Sequence, residues 1–169
     1  MNRPQPNEYP VWGETYISKV DKDIFETLKE QVFSIPVLFE SNKEKENFAY
    51  AEGKWTLKEM LGHIIDTERI LTYRLTCFAR NEKQHLPGFD EDDYVLNARF
   101  SERNYEDMIE EFAALRKANL YLFRSLNEEE LNRKGTASSR EINVKSILFI
   151  IAGHVIHHVS ILKERYHVV

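Results

Sequence analysis

The 169-residue chain carries a formal net charge of −5 and contains 42% hydrophobic and 30% charged residues. This balance is typical of a globular protein, and the length fits one domain, residues 1–169, with a sizeable core. Lysine and arginine form no dense stripe, which argues against nucleic acid as a partner. The single cysteine, Cys77, excludes an intramolecular disulfide and a cysteine-based zinc site.

The sequence also indicates a protein without a membrane partner. Residues 1–13 contain no apolar stretch of the kind found in signal peptides, and we expect them to form an extended N-terminal arm. The longest uninterrupted apolar run, residues 147–152, is too short to span a bilayer. We therefore expect a cytoplasmic protein.

Four long segments show the periodicity of amphipathic helices, and none shows the alternation of a β-strand. The first extends from about residue 14 to residue 35, and Pro36 is expected to end or kink it. Thr56 and Glu59 then have the spacing of a capping box. They predict the start of a second helix that covers about residues 57–80.

The second half of the chain contains two further predicted helices. A loop at residues 86–94 precedes the third, which follows Asn104 and reaches about Leu126. Residues 133–141 are expected to form another loop, after which Asn143 caps a fourth helix over residues 144–166. Four amphipathic helices joined by moderate loops predict an all-α protein, a single four-helix bundle.

Three histidines lie on or beside the apolar faces of two of these helices. His154 and His158 are one turn apart on the fourth helix, and His63 borders the core face of the second. Two helices of one bundle can bring three imidazoles to one divalent ion and leave a position for water or substrate. The alternative is three separate histidines with ordinary hydrogen bonds at the edge of the core. His157 points away from the apolar face.

Glu68 falls within the apolar face of the second helix, where an ionised carboxylate needs a partner. One interpretation makes it a fourth metal ligand or an acceptor that orients a metal-bound imidazole. The favoured interpretation is an ion pair with a cation on a facing helix, because buried charges are usually paired. Arg165, on the stripe of His154 and His158, is an available partner.

Three blocks of the sequence resemble the DinB/YfiT-like superfamily: KWTLKEMLGHIIDTERILTYRLTCFAR, LPGFDEDDYV and IIAGHVIHHVSILKERY. The resemblance implies an up-down-down-up four-helix bundle with one divalent ion held by three histidines. The positions that match are His63, His154 and His158, and His157 is not expected to ligate. Nickel or zinc is the expected ion, while iron, manganese and cobalt also suit neutral imidazoles.

The resemblance further implies a metal-dependent enzyme that acts on a small-molecule substrate. The first expectation is an S-transferase that uses a low-molecular-weight thiol, of the bacillithiol or glutathione type, to attack small electrophiles. The alternatives are a metal-dependent hydrolase that uses a metal-bound water and a non-catalytic metal-binding stress protein. The family also suggests a homodimer. The loop at residues 86–94 is expected at the pocket mouth, and Trp55 and Tyr73 either line the pocket or simply pack.

Overall fold

The computed structural model describes residues 1–168. Within them, four long α-helices form the bundle, and three short α-helices, three 3₁₀ turns and one β-hairpin precede it or lie in its connections. In chain order the elements are α1 (Glu14–Ile17), α2 (Ile24–Glu40), α3 (Leu57–Ala79), α4 (Glu91–Asn97), α5 (Tyr105–Ser125), α6 (Glu128–Asn132), β1 (Lys134–Ala137), β2 (Arg140–Asn143) and α7 (Val144–Arg165).

Helices α3 and α5 run in the same direction. Arg69 of α3 pairs with Glu111 of α5, and farther along both helices the Asn119 Nδ2 donates to the Thr72 Oγ1 at 3.2 Å. Because the contacts advance together toward both C-termini, the two helices are parallel. The long connection between them, residues 80–104, returns the chain to the end of the bundle where α3 began.

The other two long helices run the opposite way. Tyr166, just after α7, donates its hydroxyl to the carbonyl of Trp55, just before α3, at 2.6 Å, so α7 is antiparallel to α3. Residues 36–40 of α2 lie beside residues 106–110 of α5, whereas Gln31 contacts Arg116, so α2 is antiparallel to α5. The bundle is therefore up-down-down-up, as predicted.

Capping residues fix the starts of α3, α5 and α7 where the sequence predicts them. The Glu59 N–H donates to the Thr56 Oγ1 at 3.2 Å, and the Thr56 N–H donates to the Glu59 carboxylate at 2.7 Å. Asn104 and Asn143 accept from the third residue of α5 and α7, both at 2.8 Å. Each cap satisfies a backbone donor that has no partner inside its helix.

The prediction of one helix over residues 14–35 is wrong in two ways. The segment is divided into α1 and α2, because Asp23 accepts from the N–H groups of Phe25 and Glu26 and caps a new helix. Of the two alternatives for Pro36, a helix end is wrong, because α2 continues to Glu40. Phe39, one turn beyond the proline, is fully buried, and this burial stabilises the last turn against the lost hydrogen bond.

The loop predicted at residues 133–141 is instead mostly a two-stranded hairpin. Strands β1 and β2 pair antiparallel from Lys134 opposite Asn143 to Ala137 opposite Arg140. The turn residues Ser138 and Ser139 both have positive φ, 51° and 61°, as a type I′ turn requires. The usual sequence signal of that turn is Asn-Gly. Because two serines stand there instead, the sequence did not indicate a hairpin.

Two other expectations need correction. Val11–Gly13, the last residues of the predicted extended arm, form a 3₁₀ turn, and burial of Tyr9 holds the preceding segment against the protein. Helix α4 begins inside the loop predicted at residues 86–94, because the Asp90 carboxylate caps it by accepting from the Asp93 N–H at 3.0 Å.

Helix α7 is the one helix within residues 1–168 that is both long and apolar enough to resemble a membrane span. Length and composition alone would allow it to cross a membrane, but 67% of its most apolar 18-residue window is buried inside the protein. Its apolar surface therefore forms the centre of the bundle, as in the core helix of a soluble protein.

Candidate metal centre

The structure brings His63 of α3 together with His154 and His158 of α7. Their Nε2 atoms form a triangle with sides of 3.1 Å (His63 to His154), 3.2 Å (His63 to His158) and 3.0 Å (His154 to His158). All three side chains are buried, with exposures of 6–8%. The helical phases thus identified three residues that meet at one point.

The three Nε2–Nε2 contacts cannot all be hydrogen bonds. Each contact needs one nitrogen that carries a proton and one that offers a lone pair. Each of the three nitrogens is either protonated or unprotonated, so at least two of them are in the same state. Those two face each other as two donors or two acceptors and cannot form a hydrogen bond. A cation at the centre removes the conflict, since all three Nε2 atoms then present lone pairs to it.

Burial keeps these imidazoles in the neutral form that binds metals. It lowers the pKa of His63 to about 4. Burial, followed by the charges of His63 and His157, lowers the pKa of His158 to about 3. Burial is also the main cause that holds the pKa of His154 well below its usual 6.5, with smaller contributions from the other histidines and Arg116.

The donor set fits a divalent ion. Three imidazole nitrogens about 2.0–2.1 Å from one tetrahedral ion are separated by about 3.3 Å, close to the observed separations. Within residues 1–168, these histidines are the one group of three potential metal ligands whose ligand atoms lie within 4.8 Å of one another. One feature departs from the usual arrangement, because the buried His158 Nδ1 has no acceptor to orient it.

Glu68 forms a buried ion pair, as favoured from the sequence, but its partner is not Arg165. Arg116 of α5 donates from Nε and Nη2 to the two Glu68 oxygens at 2.8 and 2.9 Å, and Asn119 donates to one of them at 3.0 Å. Arg165 instead lies at the surface and donates to the Tyr50 hydroxyl. Both Glu68 oxygens are therefore engaged outside the histidine cluster.

This ion pair is part of a polar network that joins all four long helices. Arg116 also donates to the Gln31 side-chain oxygen on α2. Gln31 in turn donates from Nε2 to the carbonyl of Ala152 on α7 at 3.0 Å. Because Ala152 precedes His154 by two residues, the network fixes the stretch of α7 that carries two of the three imidazoles.

Aromatic rings surround the histidine cluster. The Trp55 ring lies 4.7 Å from the His63 ring, centre to centre, and the Tyr16 ring lies 5.5 Å from the His154 ring. Tyr16 also contacts His157, which is half-buried and lies outside the cluster. Tyr73 is exposed at the surface of α3.

A cavity of about 390 Å³ opens beside His154. The loop expected at the pocket mouth contributes Phe89 to its wall, and Glu91 of α4 adds a carboxylate. The wall also contains polar residues that were not singled out in the sequence, among them Thr15, Thr67, Arg74 and Ser138. The sequence holds a signal for Thr67 and Arg74, since they follow His63 by four and eleven residues and share its face of α3.

Comparison with known proteins agrees with this description. The sequence model of the DinB superfamily matches residues 35–162, which include all three histidines. A protein of Oceanobacillus iheyensis, named provisionally as a metal-dependent hydrolase, is 26% identical over 123 residues, 72% of this chain and 70% of that protein. Among solved structures, YfiT from Bacillus subtilis is described as a probable metal-dependent hydrolase with an unusual four-helix bundle topology. The match covers 100% of this chain and 97% of YfiT at 16% identity, with a TM-score of 0.72, and it confirms the fold.

Proposed function

The chain belongs to the DinB superfamily, and on that basis we propose that it is a metal-dependent hydrolase of small molecules. His63, His154 and His158 hold a single divalent ion. The observation that carries the proposal is the triangle of three buried Nε2 atoms, 3.0–3.2 Å apart, beside a cavity of about 390 Å³.

The residues of the site have distinct tasks in this proposal. The three histidines supply neutral lone pairs, and the Glu68–Arg116 network holds α3, α5 and α7 in register around them. When bound, a divalent ion supplies Lewis acidity, which polarises a carbonyl or phosphoryl group and lowers the pKa of water. The cavity beside His154 provides a place for a substrate next to this site.

Two similar proteins support hydrolysis as the reaction, because one is named provisionally as a metal-dependent hydrolase and the other is described as a probable one. The thiol-dependent S-transferase stays a prediction of the sequence, as do nickel or zinc as the ion, the homodimer and the cytoplasmic location. The two reactions differ in one testable respect, since only the transferase needs a thiol.

A single assay separates these functions. Metal-loaded protein is incubated with chromogenic carboxylic, phosphate and lactone esters without thiol, and with monochlorobimane plus a panel of small thiols. We expect ester turnover without thiol that is lost in His63→Ala and kept in the matched control His157→Ala. Conjugation that requires a thiol would identify a transferase, and no turnover by fully metal-loaded protein would contradict an enzymatic role for the tested chemistry.

A further inference from the structure

The cavity beside His154 contains an arginine whose charge the protein does not neutralise. Two arginines are at least nine-tenths buried within residues 1–168, Arg74 and Arg116. Arg116 is paired with Glu68. Arg74 is 8% exposed, yet no described carboxylate lies within ion-pair distance of it, and its Nη2 donates only to neutral oxygens, the Pro87 carbonyl at 2.8 Å and the Ser138 hydroxyl at 3.3 Å.

Such an arrangement is costly in a stable fold. An unpaired buried charge loses its hydration without an ionic partner in return, and burial accordingly lowers the pKa of Arg74. The guanidinium lies over the Phe89 ring, 5.6 Å from its centre, which stabilises it only modestly. A guanidinium with free donors in a cavity wall is suited to bind an oxyanion, which it can contact through two parallel hydrogen bonds.

A second polar group of the cavity also has no partner. Thr67, on the same wall, is 6% exposed, and its Oγ1 makes no hydrogen bond within the described residues. A buried hydroxyl without a partner is unfavourable in an empty site. It is satisfied when a ligand offers an acceptor or a donor.

His63 of the histidine cluster, Thr67 and Arg74 follow one another along α3. His63, Thr67 and Arg74 share one helix face, and an axial rise of about 16 Å separates the first from the last. The Arg74 guanidinium contacts Pro87, Ser138 and Phe89, and it lines the same cavity as Thr67 and His154. Between the two ends, the wall is apolar or aromatic, with Leu71 and Ile150 among its residues.

We propose that this cavity binds small, elongated substrates that carry a carboxylate or phosphate group, and that Arg74 pairs with this group. The Thr67 hydroxyl contacts the bound molecule between Arg74 and the histidines, and the apolar wall accommodates its hydrocarbon part. The assignment of the ligand as a substrate rests on the proposed hydrolase, in which the bond to be cleaved lies near His154. The binding of the anion itself depends only on the cavity.

Glu91 is the opposing charge in the cavity wall. It lies on α4 and is exposed, and its charge acts on Arg74 without forming an ion pair. Removal of this carboxylate leaves the cavity more positive. Changes at Arg74 and Glu91 should therefore move the affinity for an anion in opposite directions.

The test is a fluorine NMR titration of the full chain with 4-fluorobenzoate and its neutral counterpart 4-fluorobenzamide. It is run on metal-loaded protein and again after treatment with EDTA. We expect saturable binding of the benzoate in both samples, at least about tenfold tighter than binding of the amide, a difference equal to 1.4 kcal/mol. Arg74→Gln, which keeps a donor for the Pro87 carbonyl, should remove this preference.

Further variants complete the test. Thr67→Val, which preserves shape, should weaken benzoate binding by a few-fold, and Glu91→Gln should strengthen it. Arg80→Gln, a change to an exposed arginine paired with Glu130, is the matched control and should leave it unchanged. Equal binding of the two compounds to wild type would overturn the proposal, and this comparison needs no variant to fold.

Binding of the benzoate only to the metal-loaded sample, without dependence on Arg74, would show that the ion and not the arginine holds the anion. That result would overturn the anion site and leave the metal site intact. Conversely, Arg74-dependent binding in a protein that takes up no metal would preserve the anion site and refute the proposed hydrolase.

Discussion

Arg116 and Glu68 form a bidentate ion pair in the centre of the bundle, with side-chain exposures of 0% and 2%. The pair connects α5 to α3 and, through Gln31, reaches the backbone of α7 beside His154. The ion pair that the sequence favours for Glu68 therefore exists, with Arg116 and not Arg165 as its partner, and it holds the helices of the candidate metal site in place.

Removal of one partner of this pair should destabilise the protein strongly. For Arg116→Met or Glu68→Leu, we expect the free energy of unfolding to fall by about 3–5 kcal/mol, because each change leaves an unpaired buried charge. The double variant should lose much less than the sum. Urea denaturation measures these values, and Arg80→Met at the exposed Arg80–Glu130 pair, with an expected loss below about 1 kcal/mol, is the control.

Additive losses in the double variant would contradict this account. They would mean that Glu68 and Arg116 stabilise the fold independently of each other.

Gly153 should not tolerate a side chain, although glycine normally weakens a helix. A Cβ at this position would lie 2.1 Å from the carbonyl oxygen of Tyr16, a backbone atom of α1. Gly153→Ala should therefore move α1 away from α7 and cost about 1–3 kcal/mol, where helix propensity alone would give a gain of up to about 1 kcal/mol. Thermal unfolding measures the sign of the change.

The same variant should also disturb the site, because Tyr16 packs against His154. We expect weaker metal binding by Gly153→Ala than by Ser160→Ala, a small change on the half-exposed face of the same helix. A Gly153→Ala protein as stable as wild type would show that α1 is not held against α7 as the structure indicates.

The metal-free protein should lose stability in mildly acidic solution. The pKa values of His63 and His158 fall from 6.5 to about 4 and about 3 on folding. Between pH 6.5 and pH 4, the unfolded chain therefore binds protons that the folded chain does not. The free energy of unfolding decreases as the pH falls through this window, by up to about 1.4 kcal/mol per pH unit for each histidine.

Urea denaturation in EDTA at pH 7, 6 and 5 measures this dependence. His63→Gln should have a shallower slope than wild type, since it removes one of the titrating groups. An identical slope in the two proteins would show that His63 does not take up a proton on unfolding in this pH range.

The sequence predicts the long helices well where a side chain caps them. Thr56, Asn104 and Asn143 mark the starts of α3, α5 and α7 because a short polar side chain there satisfies a helical N–H. The failures involve tertiary contacts or rare backbone conformations. Phe39 is buried by other helices, which carries α2 past Pro36, and the hairpin turn uses two serines with positive φ.

The site shows the same division. Periodicity places His63, His154 and His158 beside the core, and the structure brings their Nε2 atoms together. The partner of Glu68 was missed, although Arg116 lies on the stripe of α5 that contains Phe112 and Phe123. Arg74 was missed, although it shares the α3 face of His63, because only the structure shows that its guanidinium donates to neutral oxygens and not to a carboxylate. Helical phase identifies inward residues, whereas pairing between helices requires their relative positions.

Metal analysis of the protein purified without a polyhistidine tag tests the central claim most directly. Wild type and His157→Ala should each contain about one nickel, zinc or similar ion per chain, because His157 lies outside the cluster. His63→Ala and the double variant His154→Ala, His158→Ala should lose it, provided that circular dichroism shows them folded. Equal metal content in wild type and the double variant, whether high or low, would contradict a metal site formed by these three histidines.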